Sequence, residues 1–596
     1  MKTKLTILTF LLLNILTYSE IRYVSPQGNN TAPFISWATA SHTIQGCIDV
    51  SSPGDTIYVG NGVYKEVVIM IRKLALIGSG IDSCIIDTRE LAVESGFGSI
   101  VANNSCSVES FQIIVSNYND GIFFGEGVRA VFSESHYTVE IKNNLIYGGF
   151  SGTRTSINAV IKNNMMVDNS NGLLADGGLF DLVAVRIENN FILARENSQL
   201  GTHRAISMTP VKKSIPYIIG NTIAVYKDEL LRSGYLHAVS ASNKGMVANN
   251  LIYSKYNHRT EEPYGIILQL DIDSCYNNVI IGDYWGIGYY FTHPQKIKNN
   301  VIVNARKGLF PDPYTSEPEA QYNNIFNTAI PSDGFTLDST NISVDPMFVN
   351  EDSLDFRLQM FSPLIDAGDP EILDKDGSRS DIGLFGGPYG ESYKYQDYAP
   401  KPPKNLTAEM NENEVTLNWL YNTEADFSHY RVYRDTVPNF IYDTTKVIAE
   451  VKDTTIYKDK IRAGRNVYYK ITAMDNQGNQ SAASEEVSII SVGVEKPKLI
   501  ANDYKLFQNY PNPFNPSTMI SYRLKENSRV RIVLYSTTGE KVEEIVNKHQ
   551  AKGYYEINYN ARKRGLSSGI YILRMEVKDE NNIPGYTDAK KMILVK

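Results

Sequence analysis

The sequence is poor in cysteine and has no excess of positive charge. Its 596 residues include 4 cysteines, all in the first half of the chain: Cys47, Cys84, Cys106 and Cys275. If the chain is exported they could pair, with Cys84 and Cys106 the first pair to test, or they could be buried free thiols. Lysine and arginine number 58 against 66 acidic residues, a net charge of −8. Because nucleic-acid-binding proteins usually carry a basic surface, we expect no nucleic-acid partner.

Long hydrophobic runs are also absent, apart from one at the N-terminus. Residues 5–16 form a short apolar segment after Lys2 and Lys4, and the small residues Thr17 and Ser19 follow it. This arrangement is typical of a secretory signal peptide, which we assign to residues 1–19. No other segment approaches the ~20 apolar residues of a membrane-spanning helix. The sequence therefore predicts an exported mature chain without a transmembrane segment.

A pair of asparagines followed by an apolar run recurs along the first half of the chain. The copies are IKNNLIY, IKNNMMV, IENNFIL, VANNLIY, YNNVII, IKNNVIV and YNNIF, with IIGNTIAVY as a degenerate copy and VANNSCSV as the first of the series. Successive copies lie roughly 20 to 31 residues apart. Each copy consists of two short, apolar strands joined by an asparagine turn. A unit this small cannot bury an apolar face alone, but stacked units can.

The repeat predicts a solenoid. Asparagine tolerates the left-handed backbone of a tight turn, and its side-chain amide can bond to the asparagine one coil away. We therefore expect an all-β right-handed parallel β-helix over residues 20–392. About a dozen coils at ~4.8 Å per coil would give a rod roughly 60 Å long. A β-sandwich with asparagine-rich turns is the alternative.

Both ends of this region resemble a known superfamily. TIQGCIDVSSPGDTIYVGNGVYKEVVIM and LALIGSGIDSCIID resemble the opening coils of the pectate-lyase-like β-helix superfamily. VDPMFVNEDSLDFRLQMFSPLIDAGDP and DKDGSRSDIGLFGG resemble the closing segment of many secreted bacterial β-helix proteins. The resemblance implies the fold rather than the activity, because the superfamily includes lyases, hydrolases, esterases and adhesins.

The central coils are the longest and hold most of the candidate side chains. Between Asn164 and Asn277 the repeats lengthen to 26–31 residues, and we expect the surplus to form loops around a groove. A β-helix glycoside hydrolase would need a pair of carboxylates. The polygalacturonase motifs are absent, and no Asp-Asp pair occurs anywhere in the chain.

A uronic-acid lyase is the other catalytic option, and it needs a base and a group that neutralises the sugar carboxylate. Arg204 or Arg259 would be the base, with His203 beside it, and Asp176 and Asp181 would bind Ca²⁺. No cofactor other than Ca²⁺ is predicted, and Ca²⁺ enters only with this interpretation. The alternative is that these are ordinary solvated loop residues.

Aromatic side chains in the same region could stack on sugar rings. The candidates are Tyr217, Tyr235, Tyr256 and Trp285. Tyrosine is abundant throughout the chain, with 39 residues, so its presence here is not specific.

The segment DKDGSRSD offers a second candidate cation site. Its alternating oxygens at Asp374, Asp376, Ser378 and Asp381 suggest Ca²⁺. However, its glycine and acidic residues do not have the spacing of an EF-hand loop. We favour a tight turn that closes the rod.

Two further domains follow the rod. Residues 393–404 form a proline-rich linker, and residues 405–494 show about seven strands with a buried tryptophan. AMDNQGNQS in this region resembles a fibronectin type III domain, although Val467 stands at the usual corner-tyrosine position unless Tyr468 serves instead. In residues 504–596, NYPNPFNPST, LYSTTGEKV and GLSSGIYILRM resemble the type A C-terminal sorting domain of the type IX secretion system.

The sorting-domain resemblance implies export from a Gram-negative bacterium, to the cell surface or the medium, with residues 504–596 contacting the secretion machinery. We predict a monomeric chain whose rod binds polysaccharide or mediates surface interaction. The alternative is a polysaccharide lyase or glycoside hydrolase with its site in the loops of the central coils. The sequence leaves enzymatic activity and the identity of the glycan open.

Overall fold

The computed structural model of the chain divides into two compact units, Met1–Leu358 with Pro363–Lys394, and Gln359–Ser362 with Tyr395–Lys596. The structure describes residues 19–91, 98–115, 126–131, 137–175, 183–195, 202–208, 214–226, 235–253, 263–269, 272–282, 284–290, 296–311, 317–462, 465–490, 503–578 and 584–595. Residues 1–18 of the predicted signal peptide lie outside these ranges. Within them, no helix is long and apolar enough to cross a membrane.

Three parallel sheets form the first unit, and each coil of the chain contributes one strand to each sheet in turn. Sheet A contains Ile21–Val24, Thr56–Val59, Ala75–Gly78, Ser107–Glu109, Thr138–Lys142, Asn158–Lys162, Val183–Glu188, Ser214–Ile219, Met246–Ala248, Ser274–Tyr276, Lys296–Lys298 and Glu319–Gln321. Sheet B contains Gly62–Tyr64, Cys84–Asp87, Gln112–Ile114, Leu145–Tyr147, Met165–Asn169, Phe191–Arg195, Thr222–Tyr226, Leu251–Tyr253, Val279–Ile281, Val301–Val303 and Asn324–Phe326. Sheet C contains Val68–Met70, Gly98–Ala102, Glu126–Ala130, Ser151–Thr155, Asn171–Ala175, Thr202–Met208, Tyr235–Ser242, Pro263–Gln269, Trp285–Tyr290, Lys307–Pro311 and Ile330–Ser332.

The interior of this rod is a column of aliphatic side chains. Ile141, Ile161, Ile187 and Ile218 are register partners on successive strands of sheet A, and all are fully buried. Equivalent positions of the other sheets carry similar residues. Burying one such side chain is worth about 1.5–3 kcal/mol, so the stack of coils supplies the stability that no single coil has. The predicted parallel β-helix is confirmed.

Asparagines occupy the corner where the chain passes from sheet A to sheet B. Nine of them form a continuous ladder: Asn144, Asn164, Asn190, Asn221, Asn250, Asn278, Asn300, Asn323 and Asn341. In each step Nδ2 of one asparagine donates to Oδ1 of the next, over 2.9–3.0 Å. The residue before each of the first eight rungs takes the left-handed conformation, for example Asn163 at φ 55° and Gly220 at φ 67°. The predicted ladder and its degenerate copy are confirmed.

The series does not begin where the sequence suggested. Asn104 follows a strand of sheet C, so it lies at a different corner, and its Nδ2 donates to the carbonyl of Ile71. At the ladder corner of that coil the position is taken by Phe111, whose N–H donates to Oδ1 of Asn144. The pair at 103–104 is therefore not a rung.

A helix covers the first coil of the rod. Ile44–Val50 begins after Thr43, whose side chain accepts from the N–H of Gly46, and it buries Ile44, Cys47 and Ile48 against the core. All four cysteines of the chain are buried free thiols, so the Cys84–Cys106 pairing does not form. Burial raises the pKa of both Cys84 and Cys106 to about 11.

The segment after the last coil runs back along the outside of sheet B. A hairpin of Phe348–Asn350 and Asp355–Leu358 begins it. The side chain of Asn249 then donates to the carbonyls of Leu384 and Gly386, and that of Asn277 to the carbonyls of Asp381 and Gly383. Leu251, Val279 and Val301 of sheet B form an apolar cluster with Leu364 and Ile382 of this closing segment.

Within the closing segment, DKDGSRSD forms the expected turn. The N–H of Asp374 donates to the carbonyl of Ser378, and Gly377 takes a positive φ. The Asp376 carboxylate accepts from the N–H and Oγ of Ser378, and that of Asp374 accepts from the N–H of Asp381. The carboxylates that suggested a Ca²⁺ site thus already accept hydrogen bonds from donors of the same segment.

The second unit contains two small antiparallel β-sandwiches. The first sandwich contains Thr407–Asn411, Glu414–Asn418 and Ile456–Lys460 in one sheet and Val447–Val451, Phe427–Asp435, Val467–Asp475 and Val487–Ile489 in the other. The second sandwich contains Lys505–Leu506, Ser517–Leu524 and Gly553–Asn560, and opposite them Lys541–Gln550, Ser528–Ser536, Gly569–Lys578 and Pro584–Leu594. The 3₁₀ turns of the chain are Trp37–Thr39, Thr444–Lys446 and Ala561–Arg564. The predicted all-β order, a β-helix followed by two sandwiches, is confirmed.

Each sandwich has a side-chain hydrogen bond that joins two separate segments of its chain. In the first sandwich, the hydroxyl of Tyr469 donates to the Asp459 carboxylate over 2.7 Å. Tyr469 lies two positions after Val467, and the predicted tryptophan, Trp419, is buried. In the second, the side chain of Asn512 in the proline-rich stretch donates to the carbonyl of Lys591 and accepts from the N–H of Ile593. The proline-rich entry is thereby bonded to the last strand.

We expect the cysteines to resist thiol reagents in the folded protein. In the mature chain without reductant, a chromogenic disulfide reagent should detect no thiol until denaturant is added, and then four. Burial, which also keeps the groups protonated, is the physical reason. Fewer than four thiols in denaturant would mean that a disulfide exists.

Replacing a rung should destabilise the rod. Asn250→Ala leaves the buried N–H of Asn221 without its acceptor and removes one hydrogen bond each from Nδ2 of Asn221 and Oδ1 of Asn278, a loss on the order of 3 kcal/mol in the free energy of unfolding. Urea unfolding followed by circular dichroism measures it. The control, Asn104→Ala, removes an asparagine outside the ladder and should cost less than about 1 kcal/mol. Equal losses would contradict the role of the ladder.

Candidate functional site

A row of small residues runs along sheet C. It consists of Gly127, Gly152, Gly172, Ala205, Ala238, Gly265, Gly286 and Gly308, which are register neighbours in eight successive coils. A β-carbon added at Gly127 would collide with the side chain of Ile146, and one at Gly172 with that of Ile192. Sheet B approaches sheet C too closely here for larger side chains. The row therefore fixes which neighbouring residues face outward.

The residues just before this row form a second line on the outer side of sheet C. This outer row consists of Glu126, Ser151, Asn171, Arg204, His237, Tyr264, Trp285 and Lys307. It changes along the rod from polar and charged residues to aromatic ones. The spacing between neighbours is that of parallel strands, ~4.8 Å, so adjacent side chains are within contact distance.

Glu126, at the polar end, is held in a cluster of ion pairs. Its side chain is 1% exposed, and its two oxygens accept from Arg129 over 2.9 Å and from Arg154 over 3.0 Å. Both oxygens of Glu126 are therefore already bonded to guanidinium groups.

Arg204, Ser207, His237 and Ser240 form a polar quartet at the centre of the row. Arg204 and Ser207 are the register partners of His237 and Ser240 on the next strand, and an Nη1 of Arg204 donates to Oγ of Ser207 over 3.2 Å. Nε of Arg204, both ring nitrogens of His237 and Oγ of Ser240 are buried, and the described residues offer them no hydrogen-bond partner. Each such group costs about 1–3 kcal/mol unless something bonds to it.

Burial also sets the protonation of the quartet. Burial, followed by the charge of Arg204, lowers the pKa of His237 to about 3, so its imidazole is neutral at pH 7. A neutral ring offers one donor and one acceptor. Burial lowers the pKa of Arg204 from its usual value. The quartet therefore presents a cationic donor beside groups that can bond to hydroxyls.

An aromatic cluster adjoins the quartet, separate from the rod core. The Tyr264 ring lies 4.9 Å from that of His237, 5.3 Å from Trp285 and 5.6 Å from Phe310. Trp285 and Phe310 are 5.4 Å apart at 82°. Nζ of Lys307 lies 4.0 Å from the centroid of the Trp285 ring, so one face of the indole already carries a cation.

The structure brings two of the sequence-predicted residues into this site, Arg204 and Trp285. Tyr217 is on sheet A, where the guanidinium of Arg186 lies 5.2 Å from its ring, so it does not join them. His203 and Tyr235 are on sheet C strands, but their side chains are outside the described part of the structure. Four more candidates lie wholly outside the described residues, with the expected loops: Asp176, Asp181, Tyr256 and Arg259.

Sequence reasoning counted His237 among the candidate side chains of the central coils but gave it no role, and it did not single out Ser240. The signal that could have found His237 is the repeated small residue of sheet C, in EGV, SGT, NGL, RAI, HAV, YGI, WGI and KGL. The residue before the glycine or alanine is the outward one in every copy. Ser240 lies three positions further along its strand, as Ser207 does from Arg204.

The buried imidazole makes stability depend on pH. The folded pKa of His237 lies below its unfolded value of about 6.5, so the unfolded chain gains the proton first and stability falls as the pH drops below 6.5. Between pH 6.5 and 5 this amounts to about 2 kcal/mol. We expect His237→Gln to lose about 2 kcal/mol less than the wild type between pH 7 and pH 5, measured by urea unfolding. Parallel curves for the two proteins would contradict the burial of a neutral ring.

Comparisons with known proteins match parts of the chain and not its whole length. The family model described as "Secretion system C-terminal sorting domain" matches residues 508–586. Amylopullulanases of Thermoanaerobacter thermohydrosulfuricus and Thermoanaerobacterium thermosulfurigenes are 35% and 31% identical over 89 and 88 residues, each 15% of this chain. The chain spans only 6% and 4% of the length of these relatives.

Similar solved structures include a Fn3-like protein from Clostridium thermocellum, 27% identical, with a TM-score of 0.14, covering 16% of this chain and 98% of that one. A β-1,2-glucanase from Parabacteroides distasonis has the same identity, TM-score and coverage of this chain, and 13% of its own chain is covered. The sorting-domain match indicates how the protein leaves the cell. The protein is exported by type IX secretion, to the cell surface or the extracellular space.

Proposed function

We propose that this exported protein binds a polysaccharide along the outer row of sheet C, centred on the polar quartet. The observation that carries the proposal is a set of buried groups to which the described residues offer no partner: Nε of Arg204, both nitrogens of His237 and Oγ of Ser240. A ligand with many hydroxyl and carboxylate oxygens would satisfy all of them at once. Carbohydrates are such ligands.

The direction of the row supports a polymer rather than a single sugar. Neighbouring coils repeat every ~4.8 Å, so an extended chain lying parallel to the rod axis would meet equivalent positions one after another. The aromatic cluster of Tyr264, Trp285 and Phe310 continues the row beyond the quartet. Apolar ring faces of sugars pack on aromatic side chains, whereas their hydroxyls need the polar residues.

The charge of the row favours an acidic sugar. The described residues offer no acceptor to the buried Nε of Arg204, and the nearest acidic member of the outer row, Glu126, is already bonded to Arg129 and Arg154. A uronic acid would supply the missing carboxylate, since arginine binds carboxylates through paired N–H donors.

A lyase acting on the same sugar is the second candidate function. It is favoured by one observation: burial lowers the pKa of Arg204, which a guanidinium needs in order to act as a base. A hydrolase has less support, because Glu126 is the one carboxylate of the outer row as described, and a hydrolase needs two.

Arg204→Gln should weaken polysaccharide binding at least tenfold, because it removes the cationic donor while keeping an amide of similar length. Isothermal titration with a panel of acidic and neutral polysaccharides measures this. The matched control is Arg186→Gln, on sheet A, which should bind as the wild type does. Equal binding by wild type and Arg204→Gln, or an equal loss in both variants, would reject the site.

The same preparations separate binding from lyase chemistry. With uronic-acid polymers and Ca²⁺, β-elimination produces an unsaturated sugar that absorbs ultraviolet light. Product from the wild type but not from Arg204→Gln would assign the lyase function. Binding without product would assign the binding function.

A further inference from the structure

Three aspartates converge at one end of the first sandwich. Asp426 comes just before the strand Phe427–Asp435, and Asp475 is the last residue of the adjacent strand Val467–Asp475. Asp397 belongs to the segment that precedes the domain. One carboxylate oxygen from each lies within 4.8 Å of the other two. Two oxygens on opposite sides of one Ca²⁺ ion are roughly 5 Å apart, so the group has the dimensions of a Ca²⁺ shell.

The surrounding hydrogen bonds orient two of these carboxylates. Nδ2 of Asn479 donates to Asp397 and to Asp475, over 2.9 Å in each case. Asp475 also accepts from the N–H groups of Gln477 and Asn479. These bonds place the two carboxylates side by side, but they supply no positive charge.

Asp426 is a buried carboxylate beside two others, Asp397 and Asp475. It is 6% exposed, and its own backbone N–H is the one donor that the described residues give its carboxylate. The described residues also place no lysine or arginine in an ion pair with Asp397, Asp426 or Asp475. An unpaired carboxylate in so buried a position costs several kcal/mol. Something positive must compensate for three carboxylates in contact.

We propose that Asp397, Asp426 and Asp475 bind one Ca²⁺ ion, which holds the preceding linker segment on the first sandwich. All available ligands are oxygens, which Ca²⁺ and Mg²⁺ prefer over other donors. The three come from separate segments, one of them exposed, and Ca²⁺ accepts such flexible, irregular shells better than Mg²⁺ does.

Calcium titration of the full mature chain tests the site directly. After treatment with a chelator, calorimetry with CaCl₂ should show one more ion bound per chain in the wild type than in Asp426→Asn. Asp397→Asn should weaken that site at least tenfold. The matched control is Asp443→Asn, an exposed aspartate of the same domain that bonds to Thr445, which should leave binding unchanged. Unchanged binding in both site variants, or tighter binding of MgCl₂ than of CaCl₂, would overturn the proposal.

Thermal unfolding separates a cation site from a merely structural cluster. In chelator, Asp397→Asn should unfold at or slightly above the temperature of the wild type, because the substitution removes one of three mutually repelling carboxylates. Added CaCl₂ should raise the midpoint of the wild type by several degrees and leave that of Asp397→Asn in place, because an ion that binds only the folded state stabilises it. A variant midpoint lowered equally with and without calcium would overturn the assignment.

Discussion

The asparagine ladder is the constraint on which the rod depends. Each inner rung accepts two hydrogen bonds from the preceding rung and donates two to the next, one from its backbone N–H and one from Nδ2, so every coil is fixed to its neighbours at the same corner. The sequence separation between bonded rungs nevertheless varies from 18 to 31 residues. The extra residues must therefore enter elsewhere in the coil. The ladder keeps sheets A and B in register whatever the other corners carry.

The candidate site follows from that register. Because the coils are aligned at one corner, residues equivalent on sheet C line up along the rod, and the small-residue row sets which of them face outward. Arg204 and His237 are 33 residues apart in sequence but are paired in register on adjacent strands. Burial then gives them properties that neither has in water, a neutral imidazole beside a donor to which the described residues offer no partner.

Sequence reasoning predicted what is local and missed what depends on register. The strands, the left-handed turn and the ladder are encoded in a few consecutive residues, so the repeat shows them. The pair at Asn103 and Asn104 has the same letters at another corner, and nothing local distinguishes the two. The outer row changes chemistry from coil to coil, so no motif repeats except the glycine or alanine beside it. The sheet on which Tyr217 lies could not be predicted for a similar reason, because tyrosine is abundant throughout the chain and does not mark one sheet.

The closing segment has a consequence for survival outside the cell. In a stack of coils the last ones have a neighbour on one side only, so opening should start there and admit proteases. Three late coils are bonded to the closing segment through one asparagine each. Asn249 and Asn277 donate to its carbonyls, and Asn299 accepts from the N–H of Asp369. For one of these coils to open, the closing segment must also detach from it. All cysteines of the chain are free, so these hydrogen bonds stabilise the end of the rod where many secreted proteins have a disulfide.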